Sequence, residues 1–243
     1  MDRHILIAGQ GRAGTTLFYN MLRQTLQGFR LPAREVPAAG YVALPGSYVT
    51  KRPLDIFDIP GILKLNDNQK RVDLIVSLRD PRDLLTSRHA SVPDDYFCHA
   101  DRTYFVPPDG SAPMLTNPGL IPTHHAIAEV AMSGVFPQGV FLLKYERLVA
   151  DPEAMQAQLA RDLGLEFEGR FSDFHKAEIP ADLQRALNGV RPVQRTEIPR
   201  WQRPEHRARI IDQFTRFPEL FDILVALDYE DDNRWFDSFR AAA

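Results

Sequence analysis

Cysteine is nearly absent from the chain: Cys98 stands alone among 243 residues, so no internal disulfide is expected and a reducing compartment, the cytoplasm, is the expected location. A single such residue reads as a small buried side chain and not as a nucleophile. Long apolar runs are missing too. None approaches the roughly 18 residues that would cross a bilayer. The first apolar stretch, Ile5 to Ala8, is four residues long and runs straight into a glycine-rich loop, so it reads as a core strand and not as a secretory segment. There is no surplus of positive charge. A net charge of -3 argues against nucleic acid as the main partner, because counterion release requires an excess of cations. Lysine is scarce, five residues against 24 arginines, and arginine is the better bidentate binder of anions. There are no internal repeats and no low-complexity tract.

What is present is ordinary in bulk, 44% hydrophobic and 25% charged, and nothing marks a break into independent pieces. One domain, residues 1–243, is therefore expected. Strand-like runs fall at His4 to Ala8, near Tyr48 to Thr50, at Val72 to Leu78 and at Val140 to Leu143. Between them the apolar spacing is helical; Leu17, Phe18, Met21, Leu22 and Leu26 share a face. Asp80-Pro81 and Asp151-Pro152 read as N-cap and first helical residue, and Gly164 as a C-cap. Alternating strands and helices predict an α/β fold, a parallel sheet with ligand sites at the carboxyl ends of its strands. Residues 91–122 break the alternation, with prolines, glycines and aromatics but no sustained period, and read as an irregular excursion serving as a substrate lid. In the last third, Ile210, Ile211, Phe214, Phe217, Leu220, Phe221 and Leu224 are spaced for one buried helical face.

The stretch "HILIAGQGRAGTTLFYNML", residues 4–22, admits two readings. Gly9, Gly11 and Gly14 form G-x-G-x-x-G between a strand and a helix, as in dinucleotide-binding folds. That reading wants an acidic residue ending a second strand about 20 residues on. The nearest candidate, Glu35, lies in "RLPARE", where Pro32 and the charges spoil a strand. In the second reading, the loop amides and a helix N-terminus cradle a phosphate, with Thr15 and Thr16 as hydroxyl donors. A nucleoside-triphosphate loop would carry lysine where Thr15 stands; here the cation is Arg12, inside the loop.

A second stretch, "VDLIVSLRDPRDLLTSRH" at 72–89, favours the phosphate reading. A strand ends at Arg79 and a helix starts at Asp80-Pro81, with Ser87 about two turns along it, so Arg79 and Ser87 can meet one anion. Two phosphate sites then flank one nucleotide.

These residues resemble those of sulfotransferases that use 3'-phosphoadenosine 5'-phosphosulfate (PAPS). That family's 5'-phosphosulfate loop, [KR]-[SA]-G-T-T, is matched by Arg12-Ala13-Gly14-Thr15-Thr16, following Gly11. Its 3'-phosphate segment, R-x-P-R-D with a serine eight residues after the first arginine, is matched by Arg79-Asp80-Pro81-Arg82-Asp83 and Ser87. A strand ending in Y-E, here "FLLKYERLVADP", resembles the next block, whose tyrosine contacts adenine, which implies that role for Tyr145. The segments "RWQRPEHRARI" and "PELFDILVALDYEDDNRW" resemble its C-terminal helices.

The resemblance implies a three-layer sheet like that of P-loop NTPases, with helices on both faces, and transfer of a sulfuryl group from PAPS to a hydroxyl or, less readily, an amine. Such transfer needs a base, cations for the sulfuryl oxygens and a held leaving phosphate. Because sulfuryl carries less charge than phosphoryl, no metal is required. Arg12 and the loop amides fall to the phosphosulfate, Thr15 and Thr16 to the 5'-phosphate, and Lys51 in "YVTKRPLD" to the sulfuryl or bridging oxygen. The family's K-T-H histidine is replaced here by Pro53, so the base is assigned to Glu35, as in branches that use a glutamate after the loop's helix, with His89 and His99 in reserve. Arg191 and Arg195 lie where the family closes a basic loop over the 3'-phosphate. His124 and His125 are adjacent and face different helical directions, which argues against a metal pair. The acceptor is open among carbohydrate, lipid and small phenol, with Tyr96, Phe97, Tyr104 and Phe105 as lining candidates. The rival readings are a small-molecule kinase with an aberrant P-loop and a nucleotide-binding protein without transfer chemistry.

Overall fold

Four short apolar segments build the central sheet: β1 (Arg3–Gly9), β2 (Tyr48–Lys51), β3 (Arg71–Leu78) and β6 (Phe141–Lys144). They pair in the order β2-β1-β3-β6, all parallel, with Ile7 opposite Lys51 and Gly9 opposite Ser77. In this computed structural model all residues are described except 89–91, 93–97, 108, 110, 177, 188–191, 194–198 and 242–243. All four strands stand where the apolar runs predict them. β1 and β3 are buried along nearly their whole length, as strands of a parallel sheet covered on both faces must be. Helices surround the sheet.

The described chain falls into two compact units, Met1–Leu78 with Ile127–Arg195, and Arg79–Ala126 with Thr196–Ala243. In the first, α1 (Thr15–Thr25) lays Phe18, Met21 and Leu22 on Ile5, Ile7, Val49 and Ile75. The residues alternate along the strands because a strand shows every second side chain to one face. β6 leads directly into α5 (Tyr145–Ala150), and α6 (Pro152–Leu163) follows. The cap signals hold: the Asp151 carboxylate accepts from Ala154 N–H at 2.9 Å, and Gly164 ends α6 in the left-handed region at φ 61°. α2 (Ile59–Lys64) and α7 (Ala181–Leu187) also belong to this unit.

In the second unit, α3 (Pro81–Leu85) starts at Asp80, whose carboxylate accepts from Arg82 N–H at 2.9 Å. This helix is only five residues long, so Ser87 lies beyond its end and not on it, with its N–H bonded to the Leu84 carbonyl at 2.9 Å. The excursion is more regular than its sequence suggests. β4 (Arg102–Phe105) and β5 (Met114–Pro118) form an antiparallel hairpin, and α4 (Leu120–Met132) begins within it. The apolar face of the last third is divided between α8 (Arg207–Arg216) and α9 (Glu219–Ala226), because Pro218 cannot continue a helix. α10 (Arg234–Ala241) closes the chain's described part. Among the described residues no helix is long and apolar enough to cross a membrane.

His4 in β1 gives the first unit a pH dependence. It is fully buried, with Nε2 2.8 Å from Thr50 Oγ1 and Nδ1 without a hydrogen-bond partner. Burial, aided by the Lys70 charge, lowers its pKa to about 4. The unfolded chain therefore takes up a proton near pH 6.5 that the folded chain refuses until about pH 4. Stability is full above the unfolded value and falls as pH drops through this window, by about 3 kcal/mol. Denaturant unfolding of His4→Gln at pH 7 and pH 4.5 is expected to show a visibly shallower loss than the parent; an equal loss would remove His4 as the cause.

Candidate active site

The glycine loop begins where β1 ends. Gly9 has φ 110°, and a Cβ there would sit 2.9 Å from the Ser77 carbonyl oxygen and from Val76, so only glycine passes this close to β3. Gln10 N–H then bonds Ser77 O at 3.0 Å, anchoring the loop to the sheet. Gly11 and Arg12 are exposed, and Arg12 holds a left-handed backbone (φ 63°), rare for a side chain of its size. Ala13 is buried beneath the turn. Gly14, also left-handed (φ 78°), is the N-cap of α1 and offers no side-chain cap. The first helical bond runs from Phe18 N–H to Gly14 O at 3.0 Å, so the amides of Thr15, Thr16 and Leu17 precede it and are aimed out of the helix end. That end carries partial positive charge. It is suited to an anion.

Tyr145, at the end of β6, reaches the same loop. A Cβ on Gly14 would lie 2.4 Å from Tyr145 Cδ2, so the ring rests on the bare face of the glycine. Gly14→Ala therefore meets both a left-handed backbone and the ring. The thermal midpoint of this variant is expected to fall by the equivalent of roughly 1.4 kcal/mol of strain; an unchanged midpoint would show that the loop relaxes freely.

Lys51 and Glu35 complete the constellation of the first unit. Lys51 is the last residue of β2 and is 3% exposed, so it is not a solvated turn lysine. Its Nζ donates to Thr16 Oγ1 at 3.0 Å and pairs with Glu35 Oε2 at 2.5 Å. A carboxylate, an ammonium and a hydroxyl from the first turn of α1 are thus linked in one chain, with the Glu35 side chain about half exposed. Asn20, which its sequence context does not flag, ties the helix beneath: Nδ2 donates to Thr16 O at 2.8 Å.

The second unit carries a separate basic centre. Arg79 pairs with Asp83 at 3.1 Å, and Asp83 also accepts from Trp201 N–H at 3.0 Å. Ser87 is buried. The arginines that gather here are Arg88, Arg200 and Arg203. Burial, then the charges of Arg79 and Arg203, pull the Arg200 guanidinium below its ordinary pKa, and Arg88 adds to this. Burial and then Arg200, with Arg88 and Arg203, hold His206 down in the same way. Like charges crowded together are the electrostatic mark of an anion site. Arg200 and Arg203 were legible only as the basic residues of "RWQRPEHRARI". Arg191 and Arg195, the arginines expected to do this work, lie outside the described residues, as do His89, Tyr96 and Phe97. Tyr104 and Phe105 belong to β4.

Arg82 has a different task. Its guanidinium is 4.0 Å from the Trp201 ring centroid and 4.7 Å from that of Trp235, and its nitrogens bond both Asp80 oxygens and Glu230. His99, the reserve base, has both ring nitrogens engaged, Nδ1 with Asp101 and Nε2 with the Gln213 amide at 2.9 Å, and burial lowers its pKa. Among the described residues no group of three or more His, Cys, Asp or Glu side chains could hold a metal ion.

A parallel four-stranded sheet with helices around it, and a glycine loop between its first strand and first helix, is an α/β fold shared with sulfotransferase domains. The sulfotransferase domain from the Synechococcus PCC 7002 olefin synthase superposes with a TM-score of 0.56 at 13% identity, over 89% of this chain and 94% of that one. The sulfotransferase domain from the curacin biosynthetic pathway gives 0.53 at 14% identity, over 87% and 97%. At these identities the likeness is one of fold. No family model and no curated protein matches the sequence.

Proposed function

We propose that this chain is a sulfotransferase that moves a sulfuryl group from PAPS to a hydroxyl of a small acceptor, by direct in-line transfer and without a metal. The observation that carries the reading is the buried Lys51, which joins Thr16 of the phosphate loop to the Glu35 carboxylate. When bound, the nucleotide supplies an activated sulfuryl group on an acidic phosphate leaving group. The chain's own groups fit it. The amides at the start of α1, with Arg12, Thr15 and Thr16, hold the 5'-phosphosulfate. Tyr145 offers a ring face to adenine. Lys51 neutralises charge on the sulfuryl or bridging oxygen, and Glu35 takes the proton of the acceptor hydroxyl. The 3'-phosphate is assigned to Arg79 and Ser87, with Arg200 and Arg203 as further cations, a role expected also of Arg191 and Arg195. The likeness in fold to two sulfotransferase domains supports the same reading.

Calorimetric titration of the metal-free protein with 3',5'-diphosphoadenosine, beside ATP and NADH, tests it. Micromolar binding of the diphosphate is expected, much tighter than that of ATP or NADH, and reduced about 10- to 100-fold in Arg79→Ala, the value of a charge-assisted hydrogen bond. Binding of MgATP or NADH with none of the diphosphate would overturn the assignment in favour of kinase or dehydrogenase chemistry.

A further inference from the structure

A cavity of about 470 Å³ lies wholly within the first unit, lined by the segment from Arg30 to Arg34 together with Tyr41, Tyr48 and Asp182. Its size suits a small organic molecule. The surface is mostly apolar, from Pro32 and its neighbours and from the two tyrosine rings, which meet edge to face at 5.6 Å. These walls are fixed before any ligand arrives. Tyr19 OH donates to the Pro32 carbonyl at 2.8 Å, and Arg23 Nη1 donates to the carbonyls of Leu31 and Pro32 at 2.9 and 3.0 Å. Tyr48 is held by Arg30, whose Nη1 donates to its hydroxyl at 3.1 Å, and by the buried Lys70 ammonium 5.0 Å from its ring centroid.

The charge of the lining is uneven. Its charged lining residues are Arg30, Arg34 and Asp182, one cation in excess. Among the described residues the exposed Arg34 guanidinium has neither a hydrogen bond nor an ion pair, and the next residue along the chain is Glu35, paired with Lys51. An aromatic-walled cavity with one surplus cation matches a small aromatic acid.

We propose that this cavity binds the acceptor and selects a small hydroxylated aromatic acid, its ring against Tyr41 and Tyr48 and its carboxylate on Arg34 and Arg30. The reaction step rests on the sulfotransferase reading. In it the acceptor's hydroxyl oxygen forms the new O–S bond as the S–O bond to the 5'-phosphate breaks. The proton passes to Glu35 and the electron pair leaves with 3',5'-diphosphoadenosine. The binding claim stands apart from that reaction. Sequence features pointed to the 91–122 excursion for the acceptor. The cavity instead uses residues on either side of Glu35.

Titration of the nucleotide-free protein with 4-hydroxybenzoate and with its methyl ester, followed by ligand-observed NMR, separates charge from shape. The acid is expected to bind about tenfold or more tighter than the ester, and Arg34→Gln to remove that preference while Arg34→Lys retains part of it. Equal binding of acid and ester, or a preference that survives Arg34→Gln, would overturn the proposal. Arg34 is exposed and unengaged, so its replacement leaves folding intact, which a thermal midpoint verifies. Preference for the acid in a protein that ignores 3',5'-diphosphoadenosine would sink the sulfotransferase reading and keep the cavity assignment; the reverse pair of results would do the opposite.

Discussion

Lys51→Met is expected to lower the rate of 3',5'-diphosphoadenosine release from PAPS about 10²- to 10³-fold, while the affinity for the diphosphate stays within a few-fold. The magnitude is that of removing one preorganised donor from developing charge. The split follows from the proposed roles: Lys51 touches Thr16 and Glu35, which the proposal sets on the 5'-phosphosulfate and the acceptor hydroxyl, and it has no part in the proposed hold on the 3'-phosphate. Glu35→Ala should likewise spare nucleotide binding and depress turnover. The two variants differ in stability, and the asymmetry is informative. Removing Lys51 leaves a half-exposed carboxylate that water can hydrate, whereas removing Glu35 leaves a nearly buried ammonium with only the Thr16 hydroxyl. A buried charge stripped of its partner is the costlier defect. Glu35→Ala should therefore show the lower thermal midpoint of the pair. Turnover of Lys51→Met within threefold of the parent would take Lys51 off the sulfuryl group, and normal turnover in Glu35→Ala would take Glu35 out as base.

Arg82→Met should destabilise the second unit by about 3–5 kcal/mol, measured by denaturant unfolding, the usual cost of breaking a buried ion pair from one side. Asp80 is buried and accepts three charge-assisted bonds from the Arg82 guanidinium as well as one from its amide. Without Arg82 that carboxylate loses the guanidinium and keeps its capping role at the start of α3. Glu230 loses a partner on the other side, and the Trp201 and Trp235 rings lose the guanidinium packed on them. Arg82→Lys should rescue little, since an ammonium neither stacks as a plane nor forks onto a carboxylate. Arg79→Ala provides the contrast. On the proposed reading its loss should show in nucleotide affinity, and it should cost less in unfolding than that of Arg82, whose side chain is 4% exposed against 19% for Arg79. If Arg82→Met unfolds with the parent's midpoint, the network is dispensable and Arg82 must be reconsidered as a ligand-binding group.

The two arginines of "RDPRD" show what a sequence can and cannot disclose. The motif places both at the start of α3, yet which one packs on tryptophan depends on Trp201 and Trp235, more than a hundred residues away. Local signals were readable because their causes are local. The four strands, the caps at Asp80, Asp151 and Gly164, and the glycine loop all follow from apolar runs, proline at N1 and positive φ. The pairing of Glu35 with Lys51 is different in kind. Glu35 sits in a proline-bearing segment without periodicity, and what carries it to Lys51 is the hold of Tyr19 and Arg23 on the Leu31 and Pro32 carbonyls. The β4–β5 hairpin was hidden by prolines and a register shift between Thr103 and Tyr104, and the division of α8 from α9 by an apolar spacing that runs on across Pro218.

The strand order also sets a timetable for the chain as it leaves the ribosome. β1, β2 and β3 follow one another between Arg3 and Leu78, but the strand that covers the outer edge of β3 comes only at Phe141–Lys144. Until then a growing chain exposes an apolar parallel edge of the sort that recruits other strands. Tyr145 follows that late strand immediately, so the glycine loop also gains its aromatic cover only then. Nascent chains halted before residue 141 should be chaperone-dependent, and those extended beyond α6 should begin to shed the chaperone.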